Sequence, residues 1–331
     1  MELTAFETLE PREERYAAQI VAVMRAQLEK DYPAGGTLRD AHPRLSALVA
    51  ATFSIEPDLP PELRVGLFGE PRRYEAWVRF SSASDKPRSD AVPDMRGAAI
   101  KVRGVSGTPI PESDEPSSQD FLLVNTPFMP LGTVKLFRNL IWLSGKWSPR
   151  LFVLYMLLTG RLRVLKALKA AQVTPTSPAD IRYWSTTPYL FGPAQAAKYS
   201  LVPTSAYRSS MPATLTDHYL SENLQKHLDV AEASFDFLVQ LRTDPATMPV
   251  EDAAVEWPED RAPFVKVATL TIPRQQFRTP ERAALAEALA FSPAHALAEH
   301  RPIGSVNRTR MRVYEAQADF RRRRDGRARA T

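Results

Sequence analysis

Arg310 and Tyr314 stand four residues apart in a segment, Asn307 to Arg324, whose composition reads as a helix. That spacing puts both side chains on one face, where a guanidinium can rest against the phenolic oxygen. A tyrosine phenol is ordinarily neutral near neutrality, and a fixed positive charge beside it, or a ferric ion, favours the phenolate. Taken alone, an Arg-x-x-x-Tyr pair is more commonly a surface feature of a basic amphipathic helix. His42 is the second residue of interest. Unperturbed imidazole titrates near about 6.5, where one group can both accept and return a proton. A histidine placed before Pro43 is, by itself, more often a turn or capping residue.

Other chemistries are easier to exclude. The chain has no cysteine, which rules out disulfides, thiolate-ligated haem, iron–sulfur clusters and cysteine zinc sites. Any metal must sit on His, Tyr or a carboxylate. The five histidines, His42, His218, His227, His295 and His300, include no pair at i, i+4 with a carboxylate, the spacing zinc hydrolases use. There is no Gly-x-Ser-x-Gly elbow, so a serine hydrolase ranks low.

The elements that must position these residues are legible in outline. A chain of 331 residues, 44% apolar and 24% charged, has globular composition and enough length to enclose a cofactor. It reads as a single domain over 1–331, with residues 1–34 as an N-terminal helix or arm and 321–331 as a basic tail. Arg12 to Asp31 has helical spacing and ends before Pro33-Ala34-Gly35-Gly36, a turn that delivers Leu38 to His42. Tyr74 to Ser81, Gly97 to Val102, Asp120 to Asn125, Ala233 to Arg242 and Phe264 to Ile272 read as strands. No regular helices separate them, which predicts an antiparallel barrel or strongly bent sheet. Asn125 to Trp184 turns helical, Glu281 to Phe291 is helical, and the last helix follows. Gly104 to Ser118 is the best candidate for a flexible insertion.

Charge is unevenly spread. Phe121 to Ala179 contains no Asp or Glu across fifty-nine residues, and within it 131–170 interleaves Leu, Phe and Trp with Lys and Arg. That composition suits a membrane interface or a hydrophobic access channel, and equally a buried helix pair or an oligomer contact. The arginine-rich end reads as a solvated tail, and no groove-reading motif accompanies it, so no nucleic-acid partner is expected. The first residues show no apolar leader, and the longest apolar run, Leu151 to Leu158, is too short to span a bilayer. The expected location is cytoplasmic, with peripheral membrane contact through 131–170 as one option.

A set of separated motifs resembles the haem catalase superfamily, and its shorter catalase-like branch more than the full-length enzymes. Arg39-Asp40-Ala41-His42 resembles the segment that bears the distal histidine, with an arginine that reaches a haem propionate. Arg79-Phe80-Ser81-Ser82 is similar to the strand whose arginine also binds propionate and whose serine holds the other histidine nitrogen. Asp94-Met95-Arg96-Gly97 with the following strand, and Asp120 to Pro127, fall in the family's order. Phe137 then stands where the family has a phenylalanine over the distal haem face. Phe291-Ser292-Pro293 precedes Arg310-x-x-x-Tyr314, similar to the proximal helix, and Arg321 occupies a further propionate position.

The resemblance implies an α+β fold, a catalase-like antiparallel β-barrel with surrounding helices and a C-terminal helix carrying the proximal ligand. It implies haem b (iron protoporphyrin IX) held by Tyr314, with Arg39, Arg79, Phe137, Arg310 and Arg321 around it and His42, Ser81 and Asn125 as the catalytic set. The activity implied is a peroxidase cleaving hydrogen peroxide or an organic or lipid hydroperoxide, with a small reducing co-substrate and a homo-oligomer as further options. Two departures shape the expectation. The family's distal asparagine precedes Asn-Thr-Pro, and here that position is Val124. Asn125 is adjacent but faces the other side of a regular strand unless a bulge turns it. The helical C-terminal domain of large catalases has no counterpart here, so nicotinamide binding is not inferred. A haem sensor or carrier, and a haem-free lipid-binding barrel, are the alternatives.

Overall fold

The computed structural model describes residues 3–33, 37, 39, 42–84 and 86–325. The strands are β1 (Arg44–Ile55), β2 (Arg73–Ser82), β3 (Arg96–Arg103), β4 (Ser118–Val124), β5 (Tyr183–Trp184), β6 (Tyr189–Leu190), β7 (Ala196–Pro203), β8 (Ala233–Leu241) and β9 (Val265–Ile272). All pair antiparallel, in the order β5-β4-β3-β2-β1-β9-β8-β7-β6. An additional β5–β7 pairing closes the ring. Eight strands therefore form a closed barrel, with β6 as an outer extension of β7, and closure leaves those eight without a free edge.

Alternation decides what faces inward. Phe53 of β1, Val78 and Phe80 of β2, Ile100 of β3, Phe121 of β4, Tyr199 of β7 and Phe237 of β8 fill the interior and are fully buried. Their rings meet at centroid separations such as 4.7 Å for Phe121 and Phe237. The opposite face of β2–β4 carries Trp77, Arg79 and Ser81, then Gly97, Ala99 and Lys101, then Asp120, Leu122 and Val124. The site is built on this outer face.

Among the described residues seven α-helices surround the barrel: α1 (Glu13–Asp31), α2 (Val134–Lys146), α3 (Pro149–Leu158), α4 (Leu162–Ala170), α5 (Tyr219–Val230), α6 (Pro280–Ala288) and α7 (Ser305–Asp325). The chain thus has the α+β, barrel-plus-helices architecture expected of it. No helix among the described residues is long and apolar enough to cross a membrane. Leu285, Ala286 and Leu289, with Phe291, cover Leu48, Trp77 and Ala99 on the outer face of β1–β3. α7 packs on α1 through Val306 and Val313 against Ile20 and Met24.

The N-terminal half of α7 is fixed by charge as well. Arg308, buried, pairs with Glu7 at 2.5 Å, Glu13 at 2.8 Å and Glu251 at 3.3 Å. Burial opposes its charge, yet the hydrogen bonds and charges of these carboxylates outweigh it and raise the guanidinium pKa.

One expectation needs correction. Gly104 to Ser118 is not a loose insertion: the amide of Ile110, itself buried, donates to the Ala296 carbonyl at 2.9 Å, and Pro109 bridges Leu297. The last helix, read as Asn307 to Arg324, spans Ser305–Asp325 and so includes the first basic residues of the expected tail. The remainder of the tail, and Asp40 and Ala41, lie outside the described residues.

Candidate functional site

Ser81 on β2 pairs with Gly97 on β3, and Gly97 pairs with Val124 on β4. Directly paired residues project to the same side, so these three form one row across the outer face. His42, just ahead of β1, lies over that row. Its Nδ1 is 3.1 Å from Ser81 Oγ. A Cβ added at Gly97 would come within 2.6 Å of His42 Nδ1 and Cε1. Glycine at 97 is therefore what lets the imidazole approach the strand this closely. The backbone of His42 is left-handed, φ 56°, a conformation a non-glycine residue adopts only when its surroundings hold it there.

Arg79, two residues before Ser81 on the same face, is buried and donates from Nη2 to the His42 carbonyl at 2.9 Å. His42 keeps some solvent contact, but burial of its ring, with Arg79 and Arg310 adding positive charge, pushes its pKa down to about 3. The ring is thus neutral across the physiological range. This corrects the expectation of an unperturbed value near about 6.5. The tautomer in which Nδ1–H donates to Ser81 leaves the Nε2 lone pair free to accept a proton.

Facing this row, α7 presents Arg310 and Tyr314. Cζ of Arg310 lies 5.8 Å from the centre of the Tyr314 ring. Its Nη1 donates to Thr187 Oγ1 and Asn307 Oδ1, both at 3.1 Å. Burial works against the Arg310 charge, but the phenols of Tyr314 and Tyr189 outweigh it and raise its pKa. Arg79 is pushed down to about 10, by burial first, with Arg321 contributing and Glu287 and Tyr314 opposing. His42 and Tyr314 are thereby linked through arginines that feel both walls of the site.

The remaining arginines gather at the end of α6. Arg39 donates to the carbonyls of Ala286, at 2.7 Å, and Leu289. Arg321 stands 3.6 Å from Glu287. Three guanidiniums, Arg39, Arg79 and Arg321, thus share the neighbourhood of one carboxylate. Nε of Arg79 is buried without a hydrogen-bond partner. Buried Arg79, with its Nε unpartnered, suits a ligand that carries a carboxylate.

Two expected members are placed elsewhere. The Asn125 carboxamide is committed to the backbone: Oδ1 accepts from the Arg96 amide at 2.7 Å, and Nδ2 donates to the Ala171 carbonyl at 2.9 Å. The β3–β4 register is regular up to Val124, so no bulge turns Asn125 toward His42. Val124 holds that place in the row. Phe137 packs with Ile20, Met24, Val306 and Val313 between α1, α2 and α7, and with Phe152 and Met156 of α3.

One residue escaped the sequence reading. Gln317, 8% exposed and three residues beyond Tyr314, has both Oε1 and Nε2 buried without a partner. Its signal was spacing, since 310, 314, 317 and 321 follow one face of α7.

These residues fit a haem by donor chemistry: an oxygen ligand with a cation beside it, basic groups for two propionates, an unpartnered carboxamide, and a glycine-floored histidine opposite. Cavity size adds nothing to this. A cavity of about 220 Å³ is lined by Trp184, Lys198 and Trp257, and one of about 160 Å³ lies beside Ser81 and Gly97.

No family model and no curated protein matches the sequence. Solved structures do match by shape. A fungal catalase crystal structure gives a TM-score of 0.70 at 18% identity, covering 90% of this chain and 61% of that one. Catalase A from Saccharomyces cerevisiae gives 0.68 at 16% identity, covering 90% and 63%. A bacterial catalase gives 0.67 at 16% identity, covering 90% and 59%. The chain spans about three fifths of the length of these enzymes. With the closed eight-stranded barrel and the α7 wall already described, the chain has a catalase-like fold.

Proposed function

We propose that this chain is a haem-dependent peroxidase with Tyr314 as proximal iron ligand and His42 as distal acid–base group. The observation that carries the proposal is the row Ser81, Gly97, Val124 beneath His42, set against the Arg310–Tyr314 face of α7. Bound haem would supply the redox chemistry of O–O cleavage. Arg310, with Cζ 5.8 Å from the Tyr314 ring, would place its positive charge beside the oxygen that holds the iron. Arg39, Arg79 and Arg321 would take the propionates. Neutral His42, held by Ser81, takes the peroxide proton at Nε2 and returns it to the leaving oxygen, which departs as water or an alcohol.

Val124 sets the expected substrate. An apolar side chain next to His42 offers no second hydrogen bond to orient hydrogen peroxide, and it tolerates an organic substituent. Organic or lipid hydroperoxides are therefore preferred over efficient disproportionation of hydrogen peroxide. The same Val124, with Asn125 tied to the backbone, also favours a second reading, a haem sensor or carrier without turnover. Haem-loaded protein given hydrogen peroxide or a fatty-acid hydroperoxide, each with and without a phenolic reductant, separates the two. Consumption of the fatty-acid hydroperoxide supports the peroxidase; a haem spectrum with no consumption of either peroxide supports the sensor or carrier.

A further inference from the structure

Among the described residues thirteen large apolar side chains are well exposed, and six of them lie between 147 and 158, with Leu162 just beyond. That concentration makes one patch rather than scattered surface leucines. Its cause is the way α3 docks. Phe152 and Met156, one turn apart, insert among Leu131, Leu136, Leu140 and Leu143. The opposite side of α3 then faces outward with Leu151 at 40%, Leu154 at 47%, Leu157 at 50% and Leu158 at 79% exposure, flanked by Trp147 at 65% and Leu162 at 50%. Ser148 caps the start of α3 by accepting from the Arg150 amide, and Gly160, at φ 69°, turns the chain into α4. The exposed leucines are therefore held on an ordered hairpin.

The charge around the patch has one sign. Arg150, Arg163, Lys166 and Lys169 are exposed along α3 and α4. No acid occurs from Phe121 to Ala179. Leu162, Lys166 and Lys169, at i, i+4 and i+7, continue one face of α4 from the leucine tip. Two copies of this face brought together by a twofold axis would oppose four cations with four cations and no local acid. An anionic lipid surface satisfies both components at once, phosphates for the cations and the acyl boundary for Trp147 and the leucines.

We propose that the α3–α4 hairpin is a peripheral membrane-docking surface for anionic lipid. The inference stands on exposure and charge alone and does not depend on haem binding. Co-sedimentation with vesicles of phosphatidylcholine, and of phosphatidylcholine mixed with phosphatidylglycerol, tests it on the full chain. The wild type is expected to bind the anionic vesicles and to lose binding as salt screens the charges. Leu157→Glu with Leu158→Glu, and separately Lys166→Glu with Lys169→Glu, each lower partitioning by roughly tenfold or more. All four positions are exposed, and unchanged far-ultraviolet circular dichroism checks that the fold survives. Partitioning that ignores both lipid charge and these substitutions overturns the proposal. So does light scattering that shows a dimer which the leucine pair of substitutions dissolves, because the face is then an interface between copies.

Discussion

Nδ1 of His42 lies 3.1 Å from Oγ of Ser81, and the two are brought together by a strand row rather than by sequence proximity. Ser81 fixes which imidazole nitrogen faces outward. Removing the hydroxyl in Ser81→Ala takes away a hydrogen bond worth about 0.5–1.5 kcal/mol, so peroxide turnover drops roughly 2- to 13-fold. Haem affinity stays unchanged, since Arg79 and Tyr314 are untouched; steady-state kinetics beside a haem titration checks both.

Gly97→Ala is predicted to be more severe in turnover than Ser81→Ala. The added Cβ would stand 2.6 Å from the His42 ring and 3.1 Å from Ser81 Oγ, so the ring must leave the row. Loss of a positioned acid–base group lowers turnover about 100-fold or more. Wild-type kinetics in the Gly97→Ala variant would remove the row from the mechanism.

The pH dependence follows from neutral histidines. His42 is pushed down to about 3 and buried His300 to about 4, burial being the main cause for each. A depressed histidine contributes stability that is fully present above its unfolded value of about 6.5 and is lost as pH falls toward the folded value. His295 runs the other way. Burial opposes its charge, but Asp120, at 2.8 Å, raises its pKa. Its contribution is present below about 6.5 and lost as pH rises through the raised value. Urea midpoints are expected to fall between about pH 6 and pH 4, and less steeply in His42→Gln. Because His42 stays neutral, turnover should show no inflection near about 6.5; an inflection there, abolished by His42→Gln, would contradict the burial argument.

Arg308 anchors the helix that carries Tyr314. Arg308→Ala leaves Glu7 and Glu13 buried without their cation and is expected to cost about 3–5 kcal/mol of stability. Denaturant unfolding measures the cost. In Arg308→Lys, one ammonium cannot reproduce the guanidinium fork across three carboxylates, so recovery should be partial.

Gln317 is predicted to face the bound cofactor, because its carboxamide has no partner in the protein. Gln317→Leu should preserve the fold and stabilise the haem-free chain slightly, since it removes an unsatisfied buried group. In the loaded protein it should shift the haem absorption maximum or weaken haem affinity, and a titration followed by absorbance reads both.

The sequence was most legible where alternation and punctuation agree. β8 alternates cleanly over Ser234 to Leu241, and β2 and β3 sit at recognisable motifs. β1 was missed although its burial alternates from Val49 to Ile55, whereas β7 is covered on both faces, with Ala196 to Leu201 buried in succession. Such runs carry no period-two signal. α5, from Tyr219 to Val230, was also missed, although Leu220, Leu224 and Leu228 recur at helical spacing on its buried face. In the site, Arg310 with Tyr314 was readable from helical spacing. Gly97 as the floor under His42 was not, because that contact depends on the β2–β3 register. The commitment of Asn125 to the Arg96 amide and the Ala171 carbonyl, and the packing of Phe137 between helices, were likewise tertiary facts.

The most direct test of the account is the absorption spectrum of protein produced with haem supply, compared with Tyr314→Phe. The account predicts a Soret band of ferric tyrosinate-ligated haem in the wild type, lost or strongly shifted in the variant, with His42→Ala retaining it. Absence of a Soret band in the wild type, or a band unchanged in Tyr314→Phe, would contradict the assignment of Tyr314.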